Sequence, residues 1–76
     1  MTKFEFYREI GQNLKDLLDE YEMTQRELAI RIGVSKQIIS AYINGERKPT
    51  IENLANIAYV LECDINELIM VDEMII

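Results

Sequence analysis

The sequence predicts an all-α domain of five short helices. Three observations carry that prediction. Apolar residues recur at intervals of three and four in successive segments, the period of a helix with one buried face. Thr24, Ser35, Thr50 and Asp64 each precede such a segment, and each can cap a helix N-terminus. No segment reads as a convincing strand. Met70-Val71 and residues 74–76 are the short candidates, and an isolated strand has little to pair with inside such a fold. At 76 residues the chain is one domain. Surface scaling lets a chain of this size bury about 63% of its unfolded area, so the core is small and dimerisation is an expected supplement.

Each element follows from its own residues. Ile10, Leu14, Leu17 and Tyr21 form one stripe, and Phe6 extends it backwards. Helix 1 is therefore expected from near residue 4, with residues 1–9 as its N-terminal extension, until Glu22-Met23 breaks the pattern. Thr24-Gln25-Arg26-Glu27 is a capping box, in which hydroxyl and carboxylate each serve the other residue's amide. It opens helix 2, with Leu28, Ala29 and Ile32 on one face and Gly33 at its end. Ser35 caps helix 3, expected over 36–43, and Asn44-Gly45 stops it. Glu46-Arg47-Lys48-Pro49 is a polar loop. Thr50 caps helix 4, whose stripe is Ile51, Leu54, Ile57, Ala58 and Leu61. Asp64-Ile65-Asn66-Glu67 is a second capping-box pattern, opening helix 5 with Ile65, Leu68 and Ile69. Residues 70–76 form an apolar tail.

Composition excludes several classes of function. With no His and one Cys, neither a zinc site of the usual kind nor a disulfide framework is expected. No nucleophile–base pair and no glycine-rich phosphate loop is present, so no enzyme activity and no cofactor is expected. Residues 1–10 lack the apolar core of a signal peptide, and no apolar run approaches a membrane span. The expectation is a soluble, cytoplasmic domain without a membrane or small-molecule partner. Asp16, Asp19 and Glu20 read as a solvated helix face, and Cys63 as a small half-buried apolar residue.

The formal charge of -6 argues against a nucleic-acid partner, because phosphate binding runs on Lys and Arg. Its distribution argues the other way. Residues 1–23 carry net -3 and residues 51–76 net -6, with no Lys or Arg at all in the latter. Residues 24–50 carry net +3, from Arg26, Arg31, Lys36, Arg47 and Lys48 against Glu27 and Glu46. One basic face on an acidic body is the expected arrangement.

Helix 3 is the informative element. At about 100° per residue, Lys36, Gln37, Ser40 and Ala41 fall in one arc, and Ile38, Ile39, Tyr42 and Ile43 in the other. The second arc docks on the body. The first holds no acid in an acid-rich chain. It offers groups that match base edges: Lys for guanine, Gln for adenine, Ser for either, Ala for a thymine methyl. The wheel alone leaves open a plain solvated face. The preceding turn, Gly33-Val34-Ser35 after helix 2, makes the pair a helix-turn-helix, in which the second helix enters the major groove.

Three segments carry a resemblance: IGQNLKDLL (10–18), MTQRELAIRIGVSKQIISAYINGERKPT (23–50) and IENLANIAYVLECDINELI (51–69). Residues 10–69 resemble the phage repressor and Cro family, the XRE-type helix-turn-helix domains. The resemblance implies a five-helix, lambda-repressor-like DNA-binding domain with the helix-turn-helix at helices 2 and 3. It implies a sequence-specific transcriptional regulator, a repressor that binds double-stranded DNA with a palindromic operator as a homodimer. It places Gln25 on a phosphate and against the recognition helix, and Ser35 beside a phosphate. Lys36, Gln37, Ser40 and Ala41 take the base-reading positions. Asn44, Arg47 and Lys48 take the loop that holds the DNA backbone. Leu18, Glu22 and Ile43 depart from the family, which often has Arg, Gly or Asn, and Glu there.

Helix 5 and the tail are more apolar than one small core needs. Ile65, Leu68, Ile69, Met70, Val71 and Met74 are the expected two-fold dimer contact. Two other readings stay open: an antitoxin that binds DNA and a toxin, and a protein-interaction module that no longer binds DNA.

Overall fold

A computed structural model describes residues 2–70. Val71 and Met74 of the expected dimer contact lie outside the described residues. Five helices follow in order: α1 (Lys3–Glu20), α2 (Gln25–Ile32), α3 (Lys36–Ile43), α4 (Ile51–Val60) and α5 (Ile65–Ile69). No strand occurs among the described residues.

Every helix starts on a side-chain cap. The Thr2 hydroxyl accepts from the Glu5 amide at 3.2 Å, so α1 begins at Lys3, one residue before the expected start. Thr24 Oγ1 accepts from the Glu27 amide at 3.0 Å, and Glu27 Oε1 from the Thr24 amide at 3.3 Å. Ser35 serves Ile38 at 3.2 Å, and Thr50 serves Asn53 at 3.0 Å. Asp64 accepts from the Asn66 amide, while Glu67 accepts from the Asp64 amide, both at 2.9 Å. Each cap satisfies donors that the helix itself cannot, at about 1 kcal/mol apiece.

The ends are equally regular. After α1, α2, α3 and α4 an amide reaches back five residues to a carbonyl: Met23 to Leu18, Val34 to Ala29, Glu46 to Ala41, Cys63 to Ala58. That pattern requires a left-handed residue just before the donor. Gly33 (φ 77) and Gly45 (φ 72) supply it at no steric cost. Asn44 stays right-handed at φ -81, so Gly45 alone makes the turn that both residues were expected to share. Glu22 (φ 53) and Glu62 (φ 51) adopt the same conformation with a Cβ. At Glu22, which departs from the Gly or Asn expected there, a residue with a Cβ holds this conformation at a cost of about 1–2 kcal/mol.

The core joins Leu14, Leu17 and Leu18 of α1, Leu28 and Ala29 of α2, and Ile39 and Tyr42 of α3. Ile57, Ala58 and Leu61 join it from the α4 side and Leu68 from α5. Leu14, Leu28, Ile39, Ile57, Leu61 and Leu68 are fully buried, each contributing roughly 1.5–3 kcal/mol relative to exposure. Leu18 packs inward, so the apolar residue at this departure belongs to the core. Two expected stripe residues do not bury: Tyr21 caps α1 and is half exposed, and Ile51 occupies the first residue of α4. Tyr59, outside that stripe, stands almost wholly in solvent. Leu68 is a correction of the opposite sign. It is 0% exposed, filling the space between α1 and α4, and so is not a partner contact. Ile65 and Ile69 are half-buried against the core, and Met70 is exposed.

Gly11 sets how closely α1 and α3 approach. A Cβ there would collide with the carbonyl oxygens of Tyr42 and Ile43 at the end of α3. Backbone carbonyls cannot yield as a side-chain tip can. An exposed helix glycine gains about 0.5–1 kcal/mol on replacement by Ala. Gly11→Ala should instead cost about 1–3 kcal/mol, the range for overpacking, and lower the melting temperature by roughly 4–8 °C per kcal/mol. Thermal unfolding followed by circular dichroism checks the sign; a higher melting temperature would show that α1 and α3 are not in backbone contact.

Candidate nucleic-acid interface

The helix-turn-helix is built by α2, the turn at Gly33–Ser35 and α3. Gly33 ends α2 in the left-handed conformation, and Ser35 immediately caps α3, so only three residues separate the two helices. Val34 is half-buried on the core, which anchors the turn from below. The two helices make one of the two most extensive contacts in the fold, the other being α1 with α3.

Ile39 and Tyr42 turn α3 onto that body and are buried. Ile38 and Ile43 are half-buried beside them. Lys36 and Gln37 are exposed on the first turn, and Ser40 and Ala41 are half-buried one turn later. The four residues therefore form a slope. It projects most at the N-terminus of α3, where a recognition helix meets base edges.

Two side-chain bonds hold α3 in place. The Ser40 hydroxyl donates to Gln25 Oε1 at 2.7 Å, linking α3 to the first residue of α2. The Tyr42 hydroxyl accepts from Asn53 Nδ2 at 2.8 Å, linking α3 to α4. The first bond divides the chemistry of both partners. Gln25 keeps its two amide donors. Ser40 has committed its proton and keeps lone pairs only. Ser35 is in the reverse position: its oxygen accepts from the Ile38 amide, and its proton remains available outward.

Asn44 caps α3 and is exposed, and Arg47 and Lys48 follow it in the exposed loop to α4. Pro49 is buried and pins the far end of that loop. All nine residues expected on DNA thus lie on α2, the turn, α3 and the loop that follows. A hydrogen bond joins Gln25 to Ser40, while Arg47 and Lys48 stand on the loop beyond α3. Two supporting residues were not singled out from the sequence. Gly11 had a signal, since a lone glycine inside a helical stripe often marks close packing. Asn53 had a weaker one: the Tyr42 hydroxyl sits on an apolar arc and needs a partner once buried.

Little else on the surface offers chemistry. Among the described residues no cluster of three or more His, Cys, Asp or Glu side chains could hold a metal ion. No described helix is long and apolar enough to cross a membrane. An open cleft between α1 and α5 is lined by Asn13, Asp16, Leu17, Glu20, Glu67 and Met70. Its three carboxylates repel an anionic ligand. Burial raises the Cys63 thiol pKa above its usual value, and Glu67 and Asp64 add to that. Such a thiol is a poor nucleophile.

Comparison with known proteins agrees with this geometry. A helix-turn-helix family model matches residues 14–68. The phage CTXphi transcriptional repressor RstR of Vibrio cholerae is 39% identical over 59 residues, 78% of this chain and 53% of that protein. The ImmF control region 10 kDa protein of Bacillus phage phi105 is 31% identical over 65 residues, 86% of this chain and 72% of that one. The SOS-response transcriptional repressor LexA of Eubacterium rectale superposes with a TM-score of 0.84 at 26% identity, over 100% of this chain and 81% of that one. The chain spans about half the length of curated relatives such as RstR. With α2, the three-residue turn and α3 all inside the matched segment, the chain belongs to the helix-turn-helix family of the XRE type.

Proposed function

We propose that this chain is a sequence-specific DNA-binding transcriptional regulator, a repressor that reads a palindromic operator as a homodimer. The observation that carries the reading is the exposed Lys36-Gln37 pair at the head of a recognition helix locked by Ser40 and Gln25. A helix held by fixed bonds presents base-reading groups without a backbone ordering cost at binding. The similarity to RstR, a transcriptional repressor, supports the sign of regulation.

Lys36 and Gln37 reach base edges, with Ala41 against a thymine methyl. Ser40, with its proton given to Gln25, accepts from an exocyclic amine of adenine or cytosine. Gln25 and Ser35 donate to phosphates at the two helix N-termini, where the helix dipoles also favour an anion. Asn44, Arg47 and Lys48 hold the backbone beyond α3. Backbone contacts set register, and base contacts set sequence. Repression is steric, a dimer covering two half-sites about 34 Å apart.

Selection of bound sites from random duplex DNA at two salt concentrations tests the whole reading. Replacing Lys36 and Gln37 together by Ala should relax the selected consensus, each good base contact being worth about 1–3 kcal/mol. Recovery of the same site by the double variant would remove both from the base-reading set.

Arg47→Ala or Lys48→Ala should weaken all sequences alike. Each should flatten the dependence of log K on log salt by about one unit. An unchanged slope in a titration from low to moderate salt would take that residue off the backbone.

Gln25 and Ser40 should act as one unit. Once Gln25→Ala has removed the brace, adding Ser40→Ala should cost at most the one base contact. The coupling read from the four affinities should be about 0.5–3 kcal/mol, as for residues in direct contact. Strict additivity would mean that the bond between them does not serve DNA binding.

A further inference from the structure

Tyr59 and Ile51 are 86% and 82% exposed, the two most exposed large apolar side chains among the described residues. Both stand on α4, eight residues apart, with exposed Ala55 midway between them. Residues four apart on a helix form a continuous ridge. Neither the core nor the helix-turn-helix uses this one. Water faces an aliphatic side chain, a methyl and a phenol ring in a row, next to a helix whose other side is buried.

We propose that α4 packs against α4 of a second copy, antiparallel, across a two-fold axis at Ala55. The proposal rests on the homodimer of the proposed function and locates its contact on α4 rather than on α5. The ridge is self-complementary in that arrangement. Ala55 meets Ala55 of the second copy, and a small residue at the crossing lets two helices approach to about 8 Å. Ile51 then meets the second copy's Tyr59 at one end, and Tyr59 meets its Ile51 at the other. A ridge of four-residue spacing on both helices is the commonest packing mode between helices, and a two-fold axis requires both to use the same ridge.

Charge supports the antiparallel direction. The exposed acids Glu62 and Asp64 follow α4. Antiparallel pairing sets the acids of the two copies at opposite ends of the seam and leaves Arg47 and Lys48 to DNA, and the helix dipoles oppose. A parallel pair would set like charges together. Rim charges of this kind choose orientation more than they add affinity. The position of α3 is also compatible. Asn53, which binds Tyr42 of α3, is two residues from Ala55 and so about 160° away around α4. The seam therefore leaves the contact between α4 and α3 untouched.

Two measurements without DNA test this. In sedimentation at tens of micromolar the wild type should be a dimer. Tyr59→Glu should weaken self-association at least about tenfold with unchanged helix content, since a desolvated carboxylate in the seam has no partner. In a Cys63→Ser background, Ala55→Cys should oxidise to a covalent dimer, two cysteines on a two-fold axis meeting disulfide geometry. Lys15→Cys, exposed on α1, should stay monomeric. A wild type that is monomeric throughout would overturn the proposal. So would Tyr59→Glu that dimerises as the wild type does, or cross-linking at Lys15 equal to that at Ala55. If Tyr59→Glu does not fold, the cross-link decides. A dimer that binds no duplex would sink the DNA reading and keep this one. Two independent monomers on an operator would do the reverse.

Discussion

The structure depends on how α3 is held. Eight residues are too few for a stable helix in water, where helices shorter than about 12–15 residues are marginal. Its conformation comes from its surroundings. Ile39 and Tyr42 enter the core, Gly11 lets the backbone of α1 rest against its last carbonyls, and Ser35 caps its first turn. Gln25 and Asn53 then tie it sideways to α2 and α4. Each neighbour thus fixes a different degree of freedom. The core sets depth, Gly11 sets tilt and closeness, and the two polar bonds set rotation about the axis.

Rotation matters most for reading DNA. A turn of α3 by one residue's worth, about 100°, would carry Lys36 from the groove to the flank. The bond from Ser40 to Gln25 resists that, and it ties the base-reading helix to a residue assigned to a phosphate. In the proposed reading, register on the backbone and identity of the bases are coupled through that one hydrogen bond. It also determines what Ser40 offers, an acceptor and no proton.

Most of the architecture is legible from the residues because it is local. A cap, a capping box or a left-handed glycine acts within four residues, and Thr24-Glu27, Ser35, Thr50, Asp64-Glu67 and Gly33 all act where the spacing places them. What the stripe misplaces is tertiary. Ile51 shares a period with buried residues yet faces water, since burial depends on whether another element covers that angle of α4. Leu68 is expected at a partner contact because helix 5 and the tail are more apolar than one small core needs. It instead fills the core between α1 and α4. Glu22 and Glu62 hide a conformation that residue type does not announce; only the return of the chain to Leu18 and Ala58 demands it. The nine residues placed on DNA were found by spacing and resemblance together. The Ser40–Gln25 bond, spanning fifteen positions, was outside the reach of either.

The net charge of -6 takes on a definite meaning in this frame. Non-specific binding scales with the number of phosphates neutralised, and a body with six acids after Thr50 opposes it at every approach but one. The segment of net +3 provides that approach. With so few cations, affinity has to come from contacts that are geometrically fixed and, in the proposed dimer, made twice. A second recognition helix at a set distance adds its binding without a second loss of translational freedom. An acidic, small domain of this kind gains selectivity from what it lacks. In the proposed function, weak attraction to arbitrary DNA leaves an operator distinguished by hydrogen bonds and by spacing, and spacing is a property of the pair rather than of the chain.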